Sequence, residues 1–247
     1  MDRFLYVAMT GASELQLAQA VTNNNLANAS TTGFKATLAS ARDVPIEGPG
    51  HADARVYSMT AGQGIDLTPG GIVQTGRELD VAVDGDGWIA VQAPDGSEAY
   101  TRAGDFEIDS LGLLTTRSGA PVLGEGGPIA ISQYQSIEIG RDGTISIRPL
   151  GQEASVLSVV DRLRLVSIPP ADLVRGDDGL MRVIEGGAAV PDASIKVVSR
   201  SLESSNVNVV GAMVEMITQA RAYEMQIKML GTAESIDQAS QQLLALA

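Results

Sequence analysis

The chain has 247 residues, of which 44% are hydrophobic, enough to build a sizeable core, and its formal net charge of -13 works against binding phosphate backbones or anionic lipid surfaces. It contains no cysteine, which removes disulfides, thiolate metal sites and a cysteine nucleophile. Aromatic residues make up only 4%, so aliphatic side chains must carry the burial.

The first element is a helix. Met1, Leu5, Ala8, Ala12, Leu15, Gln19, Thr22, Leu26 and Ala29 recur at alternating steps of four and three, the spacing of a coiled-coil seam. The Asn- and Thr-rich stretch after it is a poor helix former, and Gly33 offers the positive φ of a helix end, so the helix is expected to stop near Ala29 to Gly33. The start of the chain lacks a basic segment followed by an apolar run, and no stretch reaches the roughly 20 apolar residues of a spanning helix. The expectation is a protein that stays inside, or one exported without a cleaved signal.

Residues 34–76 hold Pro45, Pro49, Pro69 and many glycines, and read as an extended connector with room for one hairpin. From Leu79 the apolar period becomes two. Val81 and Val83, then Trp88 to Val91, Tyr100 to Arg102, Phe106 to Ile108 and Leu113 to Thr116 lie in short runs. Similar runs follow at 121–123, 129–131, 137–139, 144–147, 163–168, 181–184 and 195–198, which predicts an antiparallel, barrel- or sandwich-like domain over 77–203. Ser204, Ser205 or Asn206 is placed to cap a last helix that runs to the end. In it Val209, Met213, Met216, Ala220, Tyr223, Ile227 and Leu230 repeat the heptad steps of the first helix.

A helix from near residue 206 to 247 would be roughly 60 Å long, more than a small domain can bury by itself. The fold class that emerges is α+β: residues 1–33 and 204–247 pair as coiled-coil helices, 34–76 connect, and 77–203 form the β-rich domain. Residues 1–35 carry two acids and two bases and residues 204–247 a net charge of -2, so the middle of the chain is the acidic, solvated part.

Sites for chemistry are scarce. Asp84-Gly85-Asp86-Gly87 fails calcium-loop spacing, because Ile89 stands where glycine is required and Asp95 where glutamate is, so it reads as a hairpin turn. Asp142-Gly143 and Asp177-Asp178-Gly179 read the same way. His51 is the single histidine, which excludes a multi-histidine metal site and leaves it as the one base a hydrolytic triad would have. There is no phosphate-binding loop, dinucleotide fingerprint or nucleophile elbow. No catalytic residue, cofactor or metal is expected, and the chain is not read as an enzyme.

Three stretches, Asn25 to Lys35, Ser204-Ser205-Asn206-Val207-Asn208 and Gln219 to Glu224, resemble the terminal signatures of the bacterial flagellar rod and hook proteins. Leu79 to Val83, Gly87-Trp88, Tyr100 to Gly104, Asp109 with Gly112, and Pro121 to Gly124 resemble that family's β domain, so the likeness covers nearly the whole chain. Trp88 departs from the Phe pair of many relatives. The short length excludes the longer hook protein. Met1-Asp2, Ala20-Val21-Thr22, Val44 to Gly48 and Gly176 to Gly179 favour the proximal over the distal rod members.

The resemblance implies a structural subunit of the basal-body rod in the periplasm, exported unfolded through the flagellar type III apparatus without signal cleavage. It implies helical assembly with copies of itself and with other proximal and distal rod subunits, transmission of torque, and an open export channel inside the helical layer. It implies no nucleic acid, small-molecule substrate or membrane insertion. The subunit interface is then expected at Leu5, Leu15, Leu26, Asn28, Asn206, Met213, Met216, Tyr223, Ile227 and Leu230. The distal rod, or a fibre- or adhesin-like binding module, is the alternative.

Overall fold

The computed structural model describes residues 2–45, 56–151, 157–184 and 186–245. The chain divides into two compact units. The first comprises residues 1–29, 36–66 and 207–247, and the second Ser30–Lys35 together with Leu67–Asn206.

The first unit holds helix α1 (Asp2–Ala27), a hairpin of β1 (Thr37–Pro45) and β2 (Val56–Ile65), and helix α2 (Val209–Ala245). The hairpin is the one for which the glycine- and proline-rich connector left room. It is long and antiparallel, with a bulge between Ser40 and Ala41. Asn25 fastens it to α1: its Nδ2 donates to Thr37 O and its Oδ1 accepts from Thr37 N, both at 2.8 Å. One side-chain amide thus supplies the donor and acceptor that a neighbouring strand would.

α2 begins later than the sequence suggests. Asn208 is its cap, with Oδ1 accepting from Gly211 N at 3.1 Å, the third helical position. Asn206, expected as a cap, stands three residues before the first helical residue, and its Nδ2 donates to the carbonyl and hydroxyl of Thr68. Ser204 is likewise taken up before the helix, its N–H donating to Gly71 O.

The second unit is built from short antiparallel strands. β5 (Trp88–Gln92) and β6 (Glu98–Thr101) form a hairpin at the centre of a five-stranded sheet, completed by β12 (Leu165–Val166) on one side and by β14 (Met181–Val183) and β13 (Leu173–Arg175) on the other. β9 (Tyr134–Ile139), β10 (Thr144–Pro149) and β11 (Ser158–Arg162) form a three-stranded sheet. Two-stranded ladders join β3 (Ile72–Gln74) to β16 (Ser201–Glu203), β4 (Val81–Asp84) to β15 (Lys196–Ser199), and β7 (Phe106–Ile108) to β8 (Leu114–Thr116).

Among the described residues these sheets do not close into a barrel, which corrects that part of the sequence expectation. The reason lies in the pairing: period-two runs fix which face of a strand is apolar, whereas closure requires a first strand to pair with a last, and here the ladders remain separate. The core is mostly aliphatic, with Val81, Ile89, Val91, Leu114, Val122, Ile129, Ile145 and Leu163 buried together with Phe106.

Asp95-Gly96, Asp142-Gly143 and Asp177-Asp178-Gly179 turn the β5–β6, β9–β10 and β13–β14 hairpins, whereas Asp84-Gly85-Asp86-Gly87 is not the hairpin turn expected from the sequence: β4 before it pairs with β15, and β5 after it pairs with β6 and β12. Asp95, Asp142 and Asp192 accept from the backbone N–H and hydroxyl of Ser97, Thr144 and Ser194, two residues on. Those side-chain hydroxyl bonds, ahead of the backbone ones, hold the three carboxyls below their ordinary range. Asp178 is lowered chiefly by Arg182, which donates to it at 2.8 and 2.7 Å. Their oxygens serve the turns, and the described residues contain no cluster of three metal-ligating side chains.

Candidate assembly surface

Within the first unit α1 and α2 run antiparallel. Gln16 Nε2 donates to Tyr223 Oη at 3.1 Å, Gln219 Nε2 donates to Thr22 Oγ1 at 3.1 Å, and Gly11 faces Gln226, so residue numbers rise on one helix as they fall on the other. A Cβ on Gly11 would come within 3.3 Å of the Gln226 amide, so the two helices approach closely here. The face of α2 that is half-buried runs Ala212, Met216, Gln219, Tyr223, Gln226, Leu230 and Ala233, at steps of four and three. On α1, Ala12, Val21 and Thr22 are buried, and Leu15 and Leu26 half-buried. The seam is shallow, made of small side chains, glutamines and one tyrosine.

Much of α2 remains apolar and uncovered. Val210 is 72% exposed, Val214 60%, Ile217 56%, Met225 59% and Ile236 53%. An isolated subunit thus presents to water a line of side chains that would ordinarily be buried. No described helix is long and apolar enough to cross a membrane.

Of the residues expected at an interface, Met216, Tyr223 and Leu230 share the seam-facing stripe of α2, while Met213 and Ile227 are exposed beside it. Leu5 lies on α1, with its side chain outside the described residues. Asn28 donates from Nδ2 to Asn24 O at the end of α1. Asn206 belongs to the second unit, where it bonds Thr68 and its N–H donates to Phe34 O. His51 falls outside the described residues. The sequence reading missed the amide partners Gln16, Gln219 and Gln226. Their signal is present as glutamines at helical spacing, but polar residues are discounted when a seam is sought by hydrophobicity.

A second arrangement, wholly inside the β-rich unit, also escaped the sequence reading. Glu203 is 1% exposed and accepts from Lys35 Nζ at 2.6 Å, from Arg102 Nη1 at 3.1 Å and from Gly70 N at 2.9 Å. Lys35 is 2% exposed and also donates to Thr68 O at 2.9 Å. Arg102, 3% exposed, donates to Gly85 O and lies over the Trp88 ring, 5.2 Å from its centre. The segment leading to Lys35 is held equally closely. Gly33 adopts φ +66°, donates to Glu203 O, and sits where a Cβ would overlap the backbone of Arg102 and Ala103. The ring of Phe34 lies beneath Arg175, whose guanidinium also donates to Lys35 O.

Three family profiles cover successive parts of the chain. "Flagella basal body rod protein" matches residues 5–35, "Flagellar hook protein FlgE/F/G D1 domain" residues 82–147, and "Flagellar basal body rod FlgEFG protein C-terminal" residues 198–243. The chain is 44% identical over its full length, and that of the relative, to flagellar basal-body rod protein FlgF of Escherichia coli (strain K12). The chain belongs to the flagellar basal-body rod proteins. The FlgF of Salmonella typhimurium is 42% identical, again over the whole of both chains. The FlgG of Bacillus subtilis (strain 168) is 31% identical, over 96% of this chain and 97% of its own. As a rod protein of this family the chain is a structural component of the flagellar basal body and not an enzyme. Two of the profiles meet the helices, and the first and last also take in Lys35 and Glu203 of the buried triad.

Proposed function

We propose that this chain is a subunit of the proximal rod that assembles helically through its terminal helices, with copies of itself and with neighbouring rod proteins, and reaches the periplasm through the flagellar export apparatus without a cleaved signal. The observation that carries the assembly reading is the uncovered apolar line on α2, from Val210 to Ile236. Burying a large aliphatic side chain is worth about 1.5–3 kcal/mol. A row of them left in water is a standing drive toward association, and a head-to-tail contact that does not close yields a filament.

In this reading α1 and α2 act as a coiled coil around the export channel, and the assembled subunits pass torque along the shaft. Residues 1–33 and 204–247 are the shaft-forming part. The interface consists of Leu5, Leu15, Leu26, Asn28, Asn206, Met213, Met216, Tyr223, Ile227 and Leu230. The deciding experiment is electron microscopy of basal bodies, with a motility assay, after deletion of the gene. Rods that arrest before the distal segment in non-swimming cells support the reading; complete rods and normal swimming overturn it.

A further inference from the structure

The buried triad joins the two stretches by which the chain enters and leaves the β-rich unit. Residues 30–35 follow α1 in sequence, and residues 201–206 precede α2. They are tied by backbone as well as by charge: Gly33 N donates to Glu203 O at 2.8 Å and Asn206 N to Phe34 O at 3.3 Å, on either side of the Lys35–Glu203 pair. Further along the chain, Gly70 N and Thr68 O bond Glu203 and Lys35, and Asn206 bonds Thr68.

We propose that Lys35, Glu203 and Arg102 form a charge latch that couples the two ends of the chain, so that neither the incoming segment nor the outgoing one holds its native geometry without the other. The physical reason is the cost of a buried charge that has lost its partner, which greatly exceeds the net worth of the pair itself. Both cations are paired with the same carboxylate. If residues 201–206 leave, two buried cations lose it together; if residues 30–35 leave, Glu203 loses its shortest contact, and Gly33 and Phe34 release their bonds to the outgoing segment. Half-closed states are therefore penalised from both sides, and the two segments order as one. The consequence for the rod, that α1 and α2 are followed and preceded by jointly fixed anchors, rests on the functional reading above; the latch itself does not.

The test is amide hydrogen exchange at residue resolution on the purified full-length chain, with Lys35→Met and Glu203→Gln measured separately. Lys35→Met removes a charge from the incoming segment only. Its expected effect is at least tenfold faster exchange at Gly33 and, on the far side of the latch, at Ser204 and Asn206. The amides of Ala90, Leu114 and Val122, which bond within the core, should keep their wild-type rates. Glu203→Gln should accelerate the same set. Faster exchange at Gly33 with Ser204 and Asn206 unchanged would overturn the coupling. Equal acceleration of the core amides, or loss of the fold in both variants, would overturn it too, by making the triad an ordinary part of the core. Since the measurement needs no rod, failure of the latch is distinguishable from failure of the rod assignment, which the gene deletion reads.

Discussion

Replacing Ile227 by aspartate separates folding from assembly. Ile227 is 46% exposed on α2, so the monomer loses only the part of the side chain it already buries, about 1 kcal/mol, while docking would remove the rest from water. Losing that half is worth about 1 kcal/mol, taken from about 1.5–3 kcal/mol for full burial of such a side chain. The new carboxylate adds the larger cost, several kcal/mol for an ion taken out of water without a partner. Together they come to about 5 kcal/mol per contact, or roughly three to four powers of ten in association. The same penalty recurs at each subunit of a shaft. The assay pairs circular dichroism and urea unfolding of the purified variant, expected to keep the helical spectrum and to lose about 1 kcal/mol, with swimming and basal-body micrographs of cells carrying it, expected to show no completed rods. Normal rods from Ile227→Asp, with Ile227→Leu as control, would refute the placement of this face in the interface.

Three further outcomes follow from the β-rich unit. Gly33→Ala should cost about 3 kcal/mol in urea unfolding, since an L side chain at φ +66° is strained and its Cβ would meet the backbone of Arg102; unchanged stability would contradict that geometry. Burial holds the Asp105 carboxyl above its ordinary value of 3.8, so the folded state binds that proton more tightly than the unfolded chain and stability is lost as pH rises through the folded value. Asp105→Asn should therefore gain on the parent between pH 3.5 and 7, and parallel unfolding curves across that range would refute it. Tyr100, whose hydroxyl donates to Glu98 and accepts from Ala189 N–H, is pushed up to about 12, first by burial. Its contribution should be intact below pH 10 and lost between 10 and 12, a decline that Tyr100→Phe abolishes in ultraviolet-monitored unfolding.

The sequence disclosed what depends on local pattern. The first helix, most strands from Val81 onward and the turns at Asp95-Gly96, Asp142-Gly143 and Asp178-Gly179 are set by period, by propensity and by near neighbours, so they can be read one stretch at a time. It disclosed less where distant partners decide. Ser158–Arg162 carries no clean alternation, and becomes a strand because β10 offers it an edge. Asn206 resembles a helix cap as much as Asn208 does, but the helix begins at Val209 and it is Asn208 whose Oδ1 meets the Gly211 N–H. The stripe of α2 that meets α1 runs through Gln219 and Gln226, whereas a hydrophobic search slides one position along, to Ala220 and Ile227. Lys35, Arg102 and Glu203 are ordinary surface residues by type. Nothing local says that one carboxylate collects two cations, one of them 168 positions away.

The chain has one tryptophan, and it lies against the guanidinium that belongs to the buried triad. Unlabelled protein therefore carries its own optical gauge at the spot where three distant stretches of chain converge. Its emission is uncontaminated by a second indole, so a change in it on displacing Arg102 can be assigned to this one ring.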